Sequence, residues 1–302
     1  KENFFNFKRI YKNKITFHII CPNEQLSEFK EKLSFEEINI INENQIVNYD
    51  NFKLIYDELS RKIDYKEKFN IRLKWYYQQI LKLTFALNFI KNESKDIVIW
   101  DADTIILKKI IFFKNDKSIK YGNFYEFHEE YYKTNKKILG DQPNYFISFL
   151  NQFIAISKDE GNFFINKYLD NASKGKYLGL EITKLIFSSI FETHKVYEGS
   201  LFSEYELIGQ VNNKFYNCKQ KPILFLRFGI DGKLNKFQIF IAKIFGFRHL
   251  TYEHTRIDEK NFGMLNKRQS WKGFLNLMTK NLIKFFLGYI KHLILYNLNK
   301  NK

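Results

Sequence analysis

Two aspartates carry the clearest chemistry in this sequence. Asp101 and Asp103 follow the apolar run IVIW (Ile97 to Trp100), precede TIIL (Thr104 to Leu107), and are separated only by Ala102. Hard carboxylate oxygens suit Mg²⁺ or Mn²⁺, ions that usually share their coordination shell with substrate phosphates. Charge at the end of a buried strand is costly unless something compensates it. Strand alternation would send the two side chains to different faces, so joint action on a cation requires a turn at Ala102. A D-x-D triplet alone is common by chance on surfaces. Its setting between two apolar runs gives it weight.

Elements able to position the pair are legible around it. Lys14 to Cys21 (KITFHIIC) reads as a strand ended by Pro22, Gln25 to Leu33 as a helix, and Ile38 to Ile41 as a second strand. Trp75 to Ile90 is the strongest helical pattern, with Leu81, Phe85 and Phe89 on one face. Asp96 to Trp100 is a buried strand leading into Asp101, and Phe146 to Ser157 supplies another strand region. Ser203 is placed to cap a helix that opens with Glu204 and continues through Leu207. Strands alternating with helices predict an α/β, mostly parallel sheet flanked by helices. In such sheets ligands bind beyond the carboxyl ends of strands, where Asp101 and Asp103 stand.

Composition narrows the classes. The chain has 302 residues, 45% hydrophobic and 27% charged, which suits a globular protein with a sizeable core. Thirteen Gly and three Pro exclude a collagen-like chain. Cys21 and Cys218 allow one bridge at most and lie in no CxxC or Cys/His cluster, against a disulfide scaffold or structural zinc. P-loop, dinucleotide-binding and serine-hydrolase readings lack their motifs. Near the start Lys and Asn interrupt each apolar stretch, so no secretory signal is expected, and no uncharged apolar run reaches the ~18 residues of a simple span.

The net charge of +16 is unevenly placed. From Lys260 to Lys302 there are nine Lys/Arg and no Asp or Glu; from Lys219 to Glu259 there are eight basic and four acidic residues. The first 218 residues therefore carry 16 − 9 − 4 = +3. A nucleic-acid partner is not expected, because the excess is terminal rather than spread over a binding face. On a helix from Trp271 to Leu298, Lys280, Lys284 and Lys291 form a narrow stripe opposite a broad apolar and aromatic face. That pattern suits a helix lying on an anionic membrane surface; a terminal helix packed on the domain is the plainer alternative.

IVIWDADTIIL, preceded by a helix carrying Lys82-Leu83, resembles the DxD core of GT-A-fold nucleotide-sugar glycosyltransferases. The wider pattern WYYQQILKL, WDADTIIL and FSEYELIG (Phe202 to Gly209) is similar to a family of bacterial GT-A-like (DUF6492-like) transferases in surface-glycan loci. The resemblance covers roughly Ile15 to Gly209. It implies a GT-A (Rossmann-like) catalytic domain over residues 1–260, followed by a basic amphipathic tail over 261–302. The implied activity is metal-dependent transfer of a sugar from a nucleotide-sugar, expected to be UDP-linked, to a glycan or lipid-linked glycan acceptor. Mn²⁺ or Mg²⁺ is the implied cofactor. The expected address is cytoplasmic, peripheral on the inner face of the cytoplasmic membrane.

The resemblance also implies roles by position. Asp101 and Asp103 would hold the metal and the donor's ribose and diphosphate, with His254, or alternatively His249, completing the metal shell. Lys82 would reach the donor phosphates, with Arg72 and Gln79 in the same pocket. Cys21 and Pro22 would edge the base. Glu204, favoured as an anion by the helix dipole, would take the acceptor's proton. Glu206 would meet the acceptor or, with Ser203, form a capping box. Asn151 and Gln152 could bond donor sugar or acceptor, and Asp141 an acceptor hydroxyl or merely a turn. Trp75, Tyr76 and Tyr77 read more readily as core than as a stacking platform, His18 as a core residue, and His128 among Glu126, Glu129 and Glu130 as a solvated acidic loop. A nucleotidyltransferase, lacking here its Gly-rich basic signature, and a catalytically inactive membrane-associated scaffold are the alternatives.

Overall fold

The computed structural model describes residues 2–12, 15–124, 126–140, 148–169, 177–197, 199–216, 220–228, 233–252 and 269–300. The chain is α/β, rich in helix, with its strands in small sheets. In chain order the first part comprises α1 (Glu2–Tyr11), β1 (Phe17–Cys21), α2 (Leu26–Lys32), β2 (Ile38–Asn42), α3 (Glu43–Ile46), α4 (Tyr49–Leu59), α5 (Lys66–Asn70) and α6 (Leu73–Glu93). The middle holds β3 (Ile97–Trp100), β4 (Thr104–Ile106), β5 (Phe113–Lys114), β6 (Lys117–Ser118), β7 (Tyr121–Gly122), α7 (Glu129–Leu139), β8 (Phe153–Ile156), α8 (Lys158–Tyr168) and α9 (Leu178–Thr193). Last come α10 (Glu204–Tyr216), β9 (Lys221–Pro222), β10 (Phe225–Phe228), α11 (Lys236–Ile244), β11 (His249–Tyr252) and α12 (Trp271–Lys300).

The expected strands and helices form, but their pairing is mixed rather than mostly parallel. β1 pairs with β2, β10 with β11 and β7 with β9 in parallel, whereas β3–β8 and β4–β11 are antiparallel. Both strands bordering the aspartate pair thus have antiparallel partners. A short apolar strand packed on both faces, as IVIW is against two cores, looks the same in sequence whichever way its neighbour runs, so its direction was not encoded.

The main core is built around α6. This helix buries residues on most of its circumference, among them Tyr76, Ile80, Leu83, Ala86, Leu87 and Ile90, as expected of a central helix rather than a surface one. Tyr76 stacks on Phe69 with ring centroids 4.4 Å apart, and α4, α8, α9 and α10 supply Phe52, Phe164, Phe187 and Leu207 to the same core. Each such buried apolar side chain contributes roughly 1.5–3 kcal/mol. Ser94 ends the helix in a left-handed conformation, φ 53°, its N–H bonded to the Ile90 carbonyl.

A second core joins Leu226, Leu250, Ala242 and Phe247 to Phe274 and Met278 of α12. The terminal helix is therefore packed on the preceding residues through its first turns, and it runs unbroken past Gly273 and Gly288. Gly288 permits the approach: a Cβ there would lie 2.5 Å from the Phe124 carbonyl oxygen.

Candidate active site

The aspartate pair sits on a tight turn. The Asp101 N–H donates to the Gln152 carbonyl at 2.9 Å, continuing the β3–β8 ladder by one residue, and the Thr104 N–H then closes back onto the Asp101 carbonyl at 3.0 Å. Ala102 is exposed at the tip. The far side is held as firmly. Trp100 Nε1 donates to the Thr104 carbonyl at 2.7 Å, the Thr104 and Thr251 hydroxyls lie 2.8 Å apart, and the Tyr252 N–H donates to the Asp103 carbonyl at 3.0 Å. The turn anticipated at Ala102 is present.

One polar stripe of α6 faces this turn and the segment leading into α10. Positions 72, 76, 79 and 82 recur at three- and four-residue intervals, so they share a side of the helix. Arg72 donates to the Ser200 hydroxyl, Tyr76 accepts from the Leu201 N–H at 2.9 Å, and the Gln79 amide group faces the Glu204 carboxylate. Lys82 completes the row. Its ammonium lies 2.8 Å from Asp101 Oδ1 and 2.5 Å from Glu204 Oε1, and 4.7 Å from the centre of the Tyr205 ring.

The cluster is short of positive charge. One ammonium faces the carboxylates of Asp101 and Glu204, with Asp103 close enough to interact with both Asp101 and Lys82. Burial pushes the Asp103 carboxyl up to about 6, and the Asp101 charge adds to it. Glu204 is fully buried, which raises it to about 7 against the opposing pull of Lys82. The helix dipole alone would lower it, as expected from its place in sequence; desolvation outweighs both the helix terminus and the ion pair. Burial works against Lys82's charge too, but Asp101 and Glu204 together hold its ammonium above the ordinary range. Tyr205, buried beside Asp101, is raised well above a usual phenol, first by burial.

A hard divalent cation fits this arrangement. The turn presents two carboxylates, one already lifted by burial and by its neighbour's charge, and such ions accept two protein carboxylates with substrate oxygens filling the shell. Among the described residues no group of three or more His, Cys, Asp or Glu side chains could hold a metal alone. His249, the alternative third ligand, does not join the pair. It is fully buried, stacked on Phe225 at 4.9 Å and edged by Phe153 and Trp100, and burial lowers its imidazole to about 3. His254 and Asp141 lie outside the described residues.

The remaining expected residues divide. Asn151 and Gln152 immediately precede β8 at the foot of the turn. Asn151 Nδ2 donates to the Tyr121 carbonyl at 2.6 Å, while Asn151 Oδ1 and Gln152 Oε1 are buried with no hydrogen-bond partner. Gln152 also holds φ 59°. Arg72 is exposed at the start of α6, about 15 Å along the helix from Lys82. Cys21 is buried at the end of β1, where burial raises its thiol, and Pro22 follows it; no hydrogen bond or ion pair joins either to Lys82, Asp101 or Glu204 among the described residues.

Glu206 does not cap its own helix. Ser203 starts α10 through its carbonyl, which accepts from the Leu207 N–H at 3.0 Å, and its hydroxyl is left without a partner. Glu206 turns instead to the Ser148 hydroxyl and the Phe149 N–H, the latter at 2.9 Å, and burial raises its carboxyl to about 7. A partner 58 residues away outbid the local one. Tyr76 and Tyr77 are core residues with Trp75 packed beside them, and His18 lies against Phe85 and Phe89. His128 is partly exposed 3.9 Å from Glu126, which is paired with Arg227. Tyr205 is the neighbour that the sequence reading missed; its place directly after Glu204 in the first turn of α10 was the available signal.

Comparison with curated proteins and with solved structures gives no match. A family model does match, over residues 4–207, which holds α6, the aspartate turn and the start of α10. The chain belongs to DUF6492, a family of unknown function.

Proposed function

We propose that the protein is a metal-dependent glycosyltransferase that moves a sugar from a nucleotide-sugar to a glycan acceptor on a GT-A-like framework. The observation that carries this reading is the closed Asp101–Thr104 turn, presenting two carboxylates beside a lysine that is itself held by Glu204. In the transfer the acceptor oxygen bonds to the anomeric carbon and gives up its proton to solvent, while the bond from that carbon to the diphosphate oxygen breaks and the diphosphate leaves with the electron pair. A bound Mg²⁺ or Mn²⁺ would supply positive charge against the leaving diphosphate.

The chain's own residues divide the remaining work. Asp101 and Asp103 would hold the cation. Lys82 offers an ammonium to the donor phosphates, and Glu204 with Gln79 fixes where that ammonium stands. Complete burial makes Glu204 a positioning residue for Lys82 rather than a group facing the acceptor. Asn151 and Gln152 support the turn from below: the Gln152 carbonyl accepts from the Asp101 N–H, and their own side-chain oxygens are buried, so they act on the donor through the placement of the carboxylates.

The test incubates the purified protein with UDP-, GDP- and CMP-sugars and Mn²⁺, Mg²⁺ or EDTA, and identifies the product. Release of one nucleoside diphosphate (or CMP from a CMP-sugar), lost with EDTA and in Asp103→Ala, is the expected result. Pyrophosphate release from a nucleoside triphosphate would mean nucleotidyl transfer instead. Absence of both turnover and thermal stabilisation with every donor would contradict the proposal and favour a catalytically inactive scaffold.

A further inference from the structure

We propose that α11 and α12 together form a docking surface for an anionic lipid bilayer, with both helices lying in the interface plane. Three faces of α12 differ in what they meet. One is turned to the domain: Phe274 and Met278 enter the second core, and Phe285 and Tyr289 meet Phe124 at 6.2 and 5.7 Å. On a second face Leu275, Ile283, Phe286, Leu287, Ile290 and Ile294 remain between 52% and 63% exposed. The third bears Lys280, Lys284 and Lys291, all exposed, along one edge of that apolar face. Packing on the domain and a free apolar face therefore coexist on one helix.

α11 extends the patch. Phe237, Phe240 and Ile244, spaced for one side of a helix, are 59%, 55% and 60% exposed, while Gln238 and Ala242 face inward. The Phe237 ring lies 5.5 Å from Trp271, so the two apolar faces are continuous. Exposed Lys236 begins α11, and Arg9 of α1 lies near enough to Lys243 for their charges to repel. Neither helix contains an Asp or Glu.

A contiguous apolar surface of this extent marks an interaction site, and its cationic border selects the partner. Anionic headgroups complement the lysines while the acyl boundary receives the Phe, Ile and Leu side chains. A second copy would offer these lysines no carboxylate from its own α11 or α12. No described helix is long and apolar enough to cross a membrane.

This surface is independent of the reaction proposed above, and its test uses no substrate. The full chain is floated with phosphatidylcholine vesicles, with and without phosphatidylglycerol. Binding to the anionic vesicles, with a blue shift of Trp271 emission that Trp271→Phe removes, is the expected result. Lys280→Gln/Lys284→Gln/Lys291→Gln should weaken partitioning on the order of a hundredfold, and Phe240→Ser/Phe286→Ser/Ile290→Ser should abolish it. All six positions are exposed, so both variants should keep the wild-type circular dichroism and melting temperature. Absence of flotation overturns the proposal, as does equal binding by wild type and both variants. A stable lipid-free dimer that the Phe/Ile variant turns monomeric overturns it in favour of self-association.

Discussion

The Lys82 ammonium stands 2.5 Å from the carboxylate of Glu204, a side chain with no exposed surface. The pair ties the middle of α6 to the first residue of α10, and Lys82 reaches from it to Asp101 on the turn. Two helices and the aspartate turn are thereby locked through one nitrogen.

Removing that nitrogen should be far costlier than removing the charge it faces. Lys82→Met leaves a buried carboxylate without its cation, a change that usually costs about 3–5 kcal/mol. Glu204→Gln keeps the shape and a hydrogen-bonding group and should cost on the order of 1 kcal/mol. The double variant should recover much of the Lys82→Met loss. Urea midpoints at constant m-value would show this, and a Lys82→Met cost no larger than that of Glu204→Gln would contradict it.

Stability should fall as pH rises through the weakly acidic range. Glu206 ordinarily titrates near 4.5 but holds its proton to about 7 in the fold. Between those values the native state binds more protons than the unfolded chain, so its stabilising contribution is full below 4.5 and lost as pH rises through 7. One such group gives a slope of at most about 1.4 kcal/mol per pH unit. Glu206→Gln, which can still accept from the Phe149 N–H, should flatten the profile measured by chemical denaturation. An unchanged slope in the variant would show that Glu206 titrates normally.

How much of this was legible in sequence varied with the range of the forces involved. IVIW running into Asp101, and Lys82 on a long apolar helix, pointed to a turn and a cation site because those signals are local. Glu206 failed as a cap because Ser148 and Phe149, brought near only by the fold, compete better for its carboxylate. Glu204 was misjudged for the same reason: its position at a helix start is visible, its complete burial is not. The apolar side of α11 was overlooked because Phe237, Phe240 and Ile244 look like any short core helix until the inward face proves to be Gln238 and Ala242.

Gln152 should be a site where stability and function part. A non-glycine residue at φ 59° costs about 1 kcal/mol, and its buried Oε1 adds an unpaired acceptor. Gln152→Gly should therefore raise the unfolding free energy by up to ~1 kcal/mol while weakening donor binding. A variant that is more stable with unchanged donor affinity would leave Gln152 without a role in the site.

The central claim is that the Asp101–Asp103 turn binds a nucleotide diphosphate through a divalent cation. Calorimetric titration of UDP, GDP and CMP, each with Mn²⁺, with Mg²⁺ and with EDTA, tests it on the wild type and on Asp103→Asn. One nucleotide should bind with either cation, lose its affinity in EDTA, and fail to bind Asp103→Asn although that variant melts like the wild type. Binding that persists in EDTA and in Asp103→Asn, or no binding of any nucleotide with metal present, would contradict the account.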